Sequence, residues 1–287
     1  MEIISTVAGL REAVADAKAR GCKIGLVPTM GALHAGHMSL IERARRECDF
    51  VVVSIFVNPT QFNNQNDLLT YPRTVEADCD KLRDADVDVA FVPSVEEVYP
   101  EPDMRVFDLG PVAEVMEGEM RPGHFNGVAQ VVSKLFDFAR PDRAYFGEKD
   151  FQQIAVIRRM AEIIGFDGEI VDCPICREAD GLAMSSRNVR LSAEQRALAP
   201  QIHETLQAAA DLAAQGLDVE SVREMTIEEL DLVDGMEVEY FEIVDAKTLQ
   251  PIEHWSDAGD AGAVGCITVW MGDVRLIDNV KFKKKYD

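Results

Sequence analysis

The stretch Pro28 to His37, PTMGALHAGH, sets two histidines three residues apart, with glycines at 31 and 36. Residues three apart on a first helical turn share a face, so His34 and His37 can meet one ligand. Gly31 and Gly36 allow a ligand close to the backbone, and a helix starting near Gly36 presents unpaired N–H groups and its positive dipole end. The chemistry that fits is contact with phosphate. A metal-ligand pair or two structural histidines are the alternatives, and no carboxylate nearby completes an obvious metal triad. A second cluster, FGEKD at Phe146 to Asp150, places Lys149 at the carboxyl end of an expected strand. A cation there can meet a triphosphate, or can simply be solvated. The third cluster, MSSRN at Met184 to Asn188, joins two hydroxyls and a guanidinium after Gly181. It can hydrogen-bond β- and γ-phosphates while Arg187 neutralises leaving-group charge, or it can be a polar turn that caps the next helix.

These residues need a frame, and the periodicity supplies one. Val7, Leu10, Val14 and Ala17 recur at helical spacing up to Gly21, and the apolar run Ile24 to Val27 reads as a strand. Leu40, Ile41 and Ala44 resume a helical period before a strand over Phe50 to Val57, so the histidine loop sits inside a βαβ unit. An Asn- and Gln-rich loop follows over Asn58 to Asn66, then a helix from Val75 to Ala85 and a strand from Val87 to Val92. Val128 to Phe138 and Phe151 to Ile164 read as helices, Ala144 to Phe146 and Glu169 to Cys173 as strands. The alternation predicts an α/β fold, a Rossmann-like doubly wound parallel sheet with ligands at the carboxyl ends of its strands. From about Arg177 the pattern changes: one long helix over Ala193 to Ala214, another over Glu220 to Leu230, then strands over Val238 to Val244, Ala263 to Met271 and Val274 to Val280. The expected division is residues 1–176 for the sheet domain and 177–287 for a smaller α+β C-terminal domain that carries the MSSRN loop.

Composition narrows the partners. With 29 basic and 51 acidic residues the net charge is −22, which opposes broad contact with a nucleic-acid backbone. The basic run Lys281 to Lys285 reads as a solvated end without a role. No stretch of about 18 apolar residues occurs and the first residues lack the order of a secretory signal, so no membrane contact and a cytoplasmic location are expected. The six cysteines are scattered through a chain large enough to need no staples, and reduced thiols are expected. Cys173 and Cys176 form one Cys-x-x-Cys, without the second pair of a zinc knuckle.

The ordered motifs resemble the pantothenate synthetase family, the pantoate and β-alanine ligases of the nucleotidyltransferase superfamily marked by His-x-Gly-His. The resemblance covers most of the chain. It includes PTMGALHAGH at 28–37, FVNPTQF at 56–62, YPRT at 71–74, RPGHFNGV at 121–128, KLF at 134–136, PDRAYFGEKDFQQ at 141–153, READGLAMSSRN at 177–188 and YFEIVDAKTLQP at 240–251. It implies that Met30, His34 and His37 form the ATP loop, with His37 in the position usually regarded as catalytic. It also implies that Gly147, Lys149 and Asp150 contact the nucleotide, that the backbone of Cys176 approaches adenine, that Met184, Ser185, Ser186 and Arg187 form the phosphate loop, and that Gln61 and Gln153 hold pantoate. Two departures stand out. Asn63 to Asn66 lack the family's usual Gly-Pro-Asn-Glu, retaining only Asp67 after it, and Gln130 replaces a common Thr.

The resemblance implies condensation of pantoate with β-alanine through a pantoyl adenylate, giving pantothenate, AMP and pyrophosphate. ATP is the co-substrate and Mg2+ its companion, with the protein ligands of the metal unassigned, and a homodimer is expected. His37, His34, Lys149 and Arg187 are the expected catalytic groups. A nucleotidylyltransferase would use the same histidine loop but leave the nucleotide on its product, and the paired glutamines and small C-terminal domain argue against it. A silent nucleotide-binding regulator would be expected to lose some of His37, Lys149 and Arg187, and all three are present.

Overall fold

Short apolar runs buried on both faces are the mark of a parallel sheet covered by helices, and Ile24 to Val27 and Val51 to Val53 have that character. The computed structural model describes residues 1–282 and divides the chain into two compact units. Of the basic run at the end, Lys283 to Lys285 lie outside the described residues. The first unit comprises Met1–Leu109, Arg121–Glu148 and Gln153–Pro174; the second comprises Gly110–Met120, Lys149–Gln152 and the chain from Ile175 on.

In chain order the elements up to the second crossover are β1 (Glu2–Ile4), α1 (Val7–Ala19), β2 (Ile24–Thr29), α2 (Ala35–Glu47), β3 (Phe50–Ile55), α3 (Gln65–Thr70), α4 (Val75–Asp84), β4 (Val89–Phe91) and α5 (Val95–Val98). Then come α6 (Glu117–Met120), which belongs to the second unit, α7 (His124–Ala139), β5 (Arg143–Gly147), α8 (Phe151–Ile164) and β6 (Glu169–Cys173). The strands form one six-stranded parallel sheet in the order β1-β4-β3-β2-β5-β6. The α/β fold expected from the sequence is therefore present.

Three details depart from the sequence reading. β1 pairs with β4 over only three residues, too few to leave a periodic signal. The loop expected over Asn58 to Asn66 holds a 3-10 turn at Pro59–Gln61 and the start of α3, because the Asn64 side chain accepts the Asn66 N–H at 2.8 Å and caps that helix. α7 begins at His124, four residues before the expected start at Val128. Its Gly127 explains why: a Cβ there would lie 2.5 Å from the Thr60 carbonyl oxygen and 2.9 Å from Gln61 Cα. The helix presses on the 3-10 turn, and that packing outweighs the low helix propensity of glycine.

The second unit contains α9 (Ala193–Leu198), α10 (Gln201–Gln215), α11 (Val219–Asp231) and an antiparallel sheet of β7 (Met236–Asp245), β8 (Ala263–Met271) and β9 (Val274–Phe282). The single helix expected over Ala193 to Ala214 is two helices, broken where Pro200 lacks the N–H a continuous helix needs. Leu206, Val222, Leu230, Phe241, Ile267 and Met271 build its core. A polar network lies within this unit. The Arg275 guanidinium donates to both Glu117 oxygens, at 2.8 and 2.6 Å, and to Glu239 at 2.9 Å. Tyr240 and Thr268 donate to the same Glu117 carboxylate at 2.9 and 3.2 Å. Burial and that carboxylate push the Tyr240 phenol up, so it remains the donor. Gln152 accepts the Glu117 N–H at 3.1 Å and donates to the carbonyls of Val112 and Val115. Two short excursions of the chain are thereby fastened into the second unit.

Candidate active site

In the first unit β2 leads to β3 and β4 on one side, while β5 and β6 lie on the other. The carboxyl ends of neighbouring β2 and β5 therefore mark the point where strand order reverses, the place at which open α/β sheets bind ligands. The segment from Met30 to His37 leaves β2 there, and Gly147 is the last residue of β5.

His34 is the N-cap of α2, and its Nδ1 accepts the Gly36 N–H at 3.2 Å. His37 returns the contact, its Nδ1 accepting the His34 N–H at 3.3 Å. The two rings stand 4.0 Å apart between centroids at 43°. A nitrogen that accepts a hydrogen bond carries no proton, so each ring's N–H donor is Nε2, directed away from its own backbone. The loop thus presents two oriented donors at a helix N-terminus, an arrangement suited to phosphate oxygens.

Gln61 is buried in the 3-10 turn, donating to Met30 Sδ at 3.1 Å and accepting from Asn58 Nδ2 at 3.1 Å. His124 Nδ1 lies 2.8 Å from the Gln61 carbonyl oxygen, and Asn58 also donates to the Gly127 carbonyl at 3.1 Å. Met30, His34, His37 and Gln61 are thus gathered by adjoining turns of one unit. Gln153, half-buried on α8, belongs to that unit as well. Gln130 is buried and donates to the carbonyls of Asp103 and Arg105, at 2.9 and 2.8 Å, so this departure from the family pattern ties down the 103–105 segment.

The second unit holds the remaining candidates. Lys149, whose carbonyl accepts from Asn279 at 3.2 Å, lines one small cavity with Ser185, Asn188 and Asp278. Asp150 follows in the same 3-10 turn. Ser185 Oγ accepts the Arg187 N–H at 3.2 Å and the Ser185 carbonyl accepts the Asn188 N–H at 3.0 Å, so the serine–arginine segment, Ser186 included, is a closed turn. Behind it the Cys176 carbonyl accepts the Met184 N–H at 3.0 Å, and the Cys176 thiol meets Met184 Sδ at 3.6 Å. In the first unit, Cys173 is a buried free thiol beside Arg43, its pKa raised by burial. Arg177 fixes the loop from below, donating to both Asp278 oxygens at 2.6 and 2.9 Å and to the Gly181 carbonyl at 3.1 Å. Gly181 itself has φ 93°, and a Cβ there would stand 2.7 Å from His203 Cδ2. The His203 ring is neutral at ordinary pH, since burial and then the Arg177 charge lower its pKa below 6.5.

Sequence reasoning assigned no role to several groups that shape these loops. Asp78 on α4 is fully buried and accepts the N–H groups of Ala32 and Leu33. Its sequence signal is a carboxylate beside Cys79 and one turn before Leu82 on the buried stripe of an amphipathic helix. Asn58 and His124 support Gln61, and the Arg177–Asp278 pair joins residues 101 positions apart, a separation that leaves no local trace.

Residues 2–281 match the family model described as pantoate-beta-alanine ligase. The chain is 61% identical over 283 residues to a pantothenate synthetase of Porphyromonas gingivalis, covering 99% of this chain and 100% of that one. It is 55% identical over 284 residues to one of Bacteroides fragilis, with the same coverage. Its structure is similar to that of pantothenate synthetase from Thermus thermophilus, with a TM-score of 0.92, 47% identity and coverage of 99% and 100%. It is also similar to a pantoate-beta-alanine ligase of Francisella tularensis complexed with beta-gamma ATP and beta-alanine, with a TM-score of 0.80, 35% identity and coverage of 98% and 97%. Matches of this extent span nearly the whole chain, and the chain belongs to the pantoate–β-alanine ligase family.

Proposed function

We propose that this ligase activates pantoate with ATP before β-alanine arrives, and that the donors of His34 and His37 act on the α-phosphate. The observation that carries the reading is the pair of Nε2–H groups fixed at the start of α2. Pantoate's carboxylate is already ionised near neutrality, a carboxyl pKa being about 4, so its oxygen attacks the α-phosphorus without a general base. The new O–P bond forms as the bond to the β-phosphate breaks, and pyrophosphate leaves. His34 and His37 stabilise charge on the α-phosphate oxygens, while Lys149, Ser185, Ser186 and Arg187 stabilise pyrophosphate. Gln61 and Gln153 hold pantoate with neutral amides that bond its oxygens without quenching the nucleophile. Met30, Gly147, Asp150, Cys176 and Met184 complete the nucleotide contacts. In the second step the amine of β-alanine, deprotonated from a pKa of about 10, attacks the acyl carbon and AMP leaves.

Mg2+ takes most of its ligands from phosphate and water. Among the described residues no group of three His, Cys, Asp or Glu is set to hold a metal; in this proposal the ion arrives with the triphosphate and neutralises its charge. Among the described residues no helix is long and apolar enough to cross a membrane. A cytoplasmic homodimer is the working form proposed here, and light scattering in solution tests the dimer.

The reaction is tested by isotope. With ATP, Mg2+ and pantoate but no β-alanine, labelled pyrophosphate exchanges into ATP, and heavy oxygen in the pantoate carboxylate passes to AMP in the full reaction. ADP formation, or exchange that needs no pantoate, rules the adenylate out.

A further inference from the structure

The segment between β2 and His34 is held in a backbone conformation that its own residues do not favour. Gly31 has φ 79° and Ala32 has φ 48°, so a left-handed glycine is followed by a left-handed alanine. A side-chain-bearing residue keeps such a conformation only where its surroundings impose it. Those surroundings are one face of α4. Asp78 gives one oxygen to the Ala32 N–H at 2.9 Å and the other to the Leu33 N–H at 2.8 Å, and Thr74 Oγ1 steadies the carboxylate at 3.1 Å. One turn further along, the Lys81 ammonium donates to the Leu33 carbonyl. Asp78 has no exposed surface, whereas Lys81 reaches in from the exposed side of the helix. Both polar groups of Leu33 are therefore fixed by side chains of α4, immediately before the residue that caps α2.

We infer that Asp78 and Lys81 are positioning residues for His34 and His37, acting through the peptide groups of Ala32 and Leu33. The inference rests on the adenylate reading. Neither side chain touches a reacting atom. The carboxylate offsets the strain at Ala32, the ammonium sets the carbonyl of Leu33, and the two together decide where the His34 backbone leaves the loop. Because the His34 N–H in turn fixes His37 Nδ1, a shift of this peptide turns both rings. The geometry also dictates the glycine at 31, since a Cβ there would come 3.0 Å from Ile55 Cγ2 and 3.1 Å from Asp78 Oδ2.

The test uses the full chain and the pantoate-dependent exchange of pyrophosphate. Asp78→Asn keeps the shape but offers only one acceptor to two N–H groups, so an amide hydrogen faces a backbone hydrogen. Exchange turnover falls about tenfold, the scale of one charge-assisted hydrogen bond lost from a transition-state arrangement, while the KM for pantoate stays within about twofold. Adding Ala32→Gly removes the strain that the carboxylate offsets and returns part of the lost turnover. Lys81→Met keeps the stem of the side chain and removes only the ammonium that bonds the Leu33 carbonyl from the exposed side of α4, so the fold is kept while turnover falls without altering the pantoate KM. If Asp78→Asn does not fold, Lys81→Met alone decides. Unaltered turnover in a folded variant, or a loss that Ala32→Gly does not relieve, overturns the inference. No exchange in the unaltered chain overturns the adenylate reading and the inference together, whereas exchange there, matched by the variants, overturns the inference alone.

Discussion

Replacing Arg177 by methionine removes the guanidinium that joins Asp278 to the loop at Gly181 while keeping much of the side-chain volume. The Asp278 side chain is 3% exposed and loses both Arg177 bonds, keeping the Asn279 N–H at 2.7 Å among the described residues. Breaking a buried pair from one side costs about 3 to 5 kcal/mol, because the surviving charge is left uncompensated. The remaining N–H, and the water that can follow a side chain 20% exposed, place the expected cost at the lower end, about 3 kcal/mol. That is a large part of the roughly 5 to 15 kcal/mol that holds a domain folded. Both tryptophans, Trp255 and Trp270, lie in the second unit, so urea unfolding followed by tryptophan fluorescence reads this unit. The midpoint falls by about 1 to 3 M at the ordinary urea slope of about 1 to 3 kcal/mol per M. The double variant Arg177→Met with Asp278→Leu leaves no buried charge and recovers most of the loss. A midpoint unmoved by Arg177→Met, or a double variant no more stable than the single one, refutes the argument.

Gly147→Ala leaves urea unfolding within about 0.5 kcal/mol, because its φ is not left-handed and an added Cβ meets nothing within 4 Å. The same methyl raises the KM for ATP if a nucleotide occupies that space, and an unchanged constant removes Gly147 from the nucleotide contacts. Gln153→Leu weakens pantoate use by about 1 to 3 kcal/mol, the cost of an unpaired polar group, in steady-state kinetics with pantoate varied; an effect confined to β-alanine places the glutamine wrongly. His203 takes up its proton below 6.5 in the folded chain, so its contribution to stability is present above pH 6.5 and lost as the pH falls through the lower folded-state value. His203→Gln should flatten that decline in urea midpoints measured from neutral to acid pH, and an identical decline in both proteins removes His203 as its source.

The parallel sheet was legible because β2 and β3 are continuous apolar runs between amphipathic helices, and a period of that kind survives any tertiary context. The histidine, lysine and serine–arginine clusters were legible because each is local. What escaped was set by distance along the chain. α7 starts early because Gly127 meets the turn at Thr60, and β1 exists only because β4 offers it an edge. Asp78 was hidden for a different reason: in sequence it is one of many acidic residues in a chain of charge −22, and its place beside Cys79 on the apolar stripe of α4 gains its meaning only from its burial beneath Ala32 and Leu33.

The network around Glu117 has a consequence for the order of synthesis. The ribosome delivers Glu117 and Gln152 early, but Tyr240, Thr268 and Arg275 emerge only as β7, β8 and β9 are made. Arg275 follows Glu117 by about 160 residues, which at 5 to 20 residues per second is a wait of roughly 10 to 30 s. Throughout that interval a carboxylate destined for burial stays in water, and the strands that will enclose it are still untranslated. The second unit therefore closes only after Arg275 has cleared the exit tunnel, and a nascent chain stalled before β9 would keep Glu117 open to solvent.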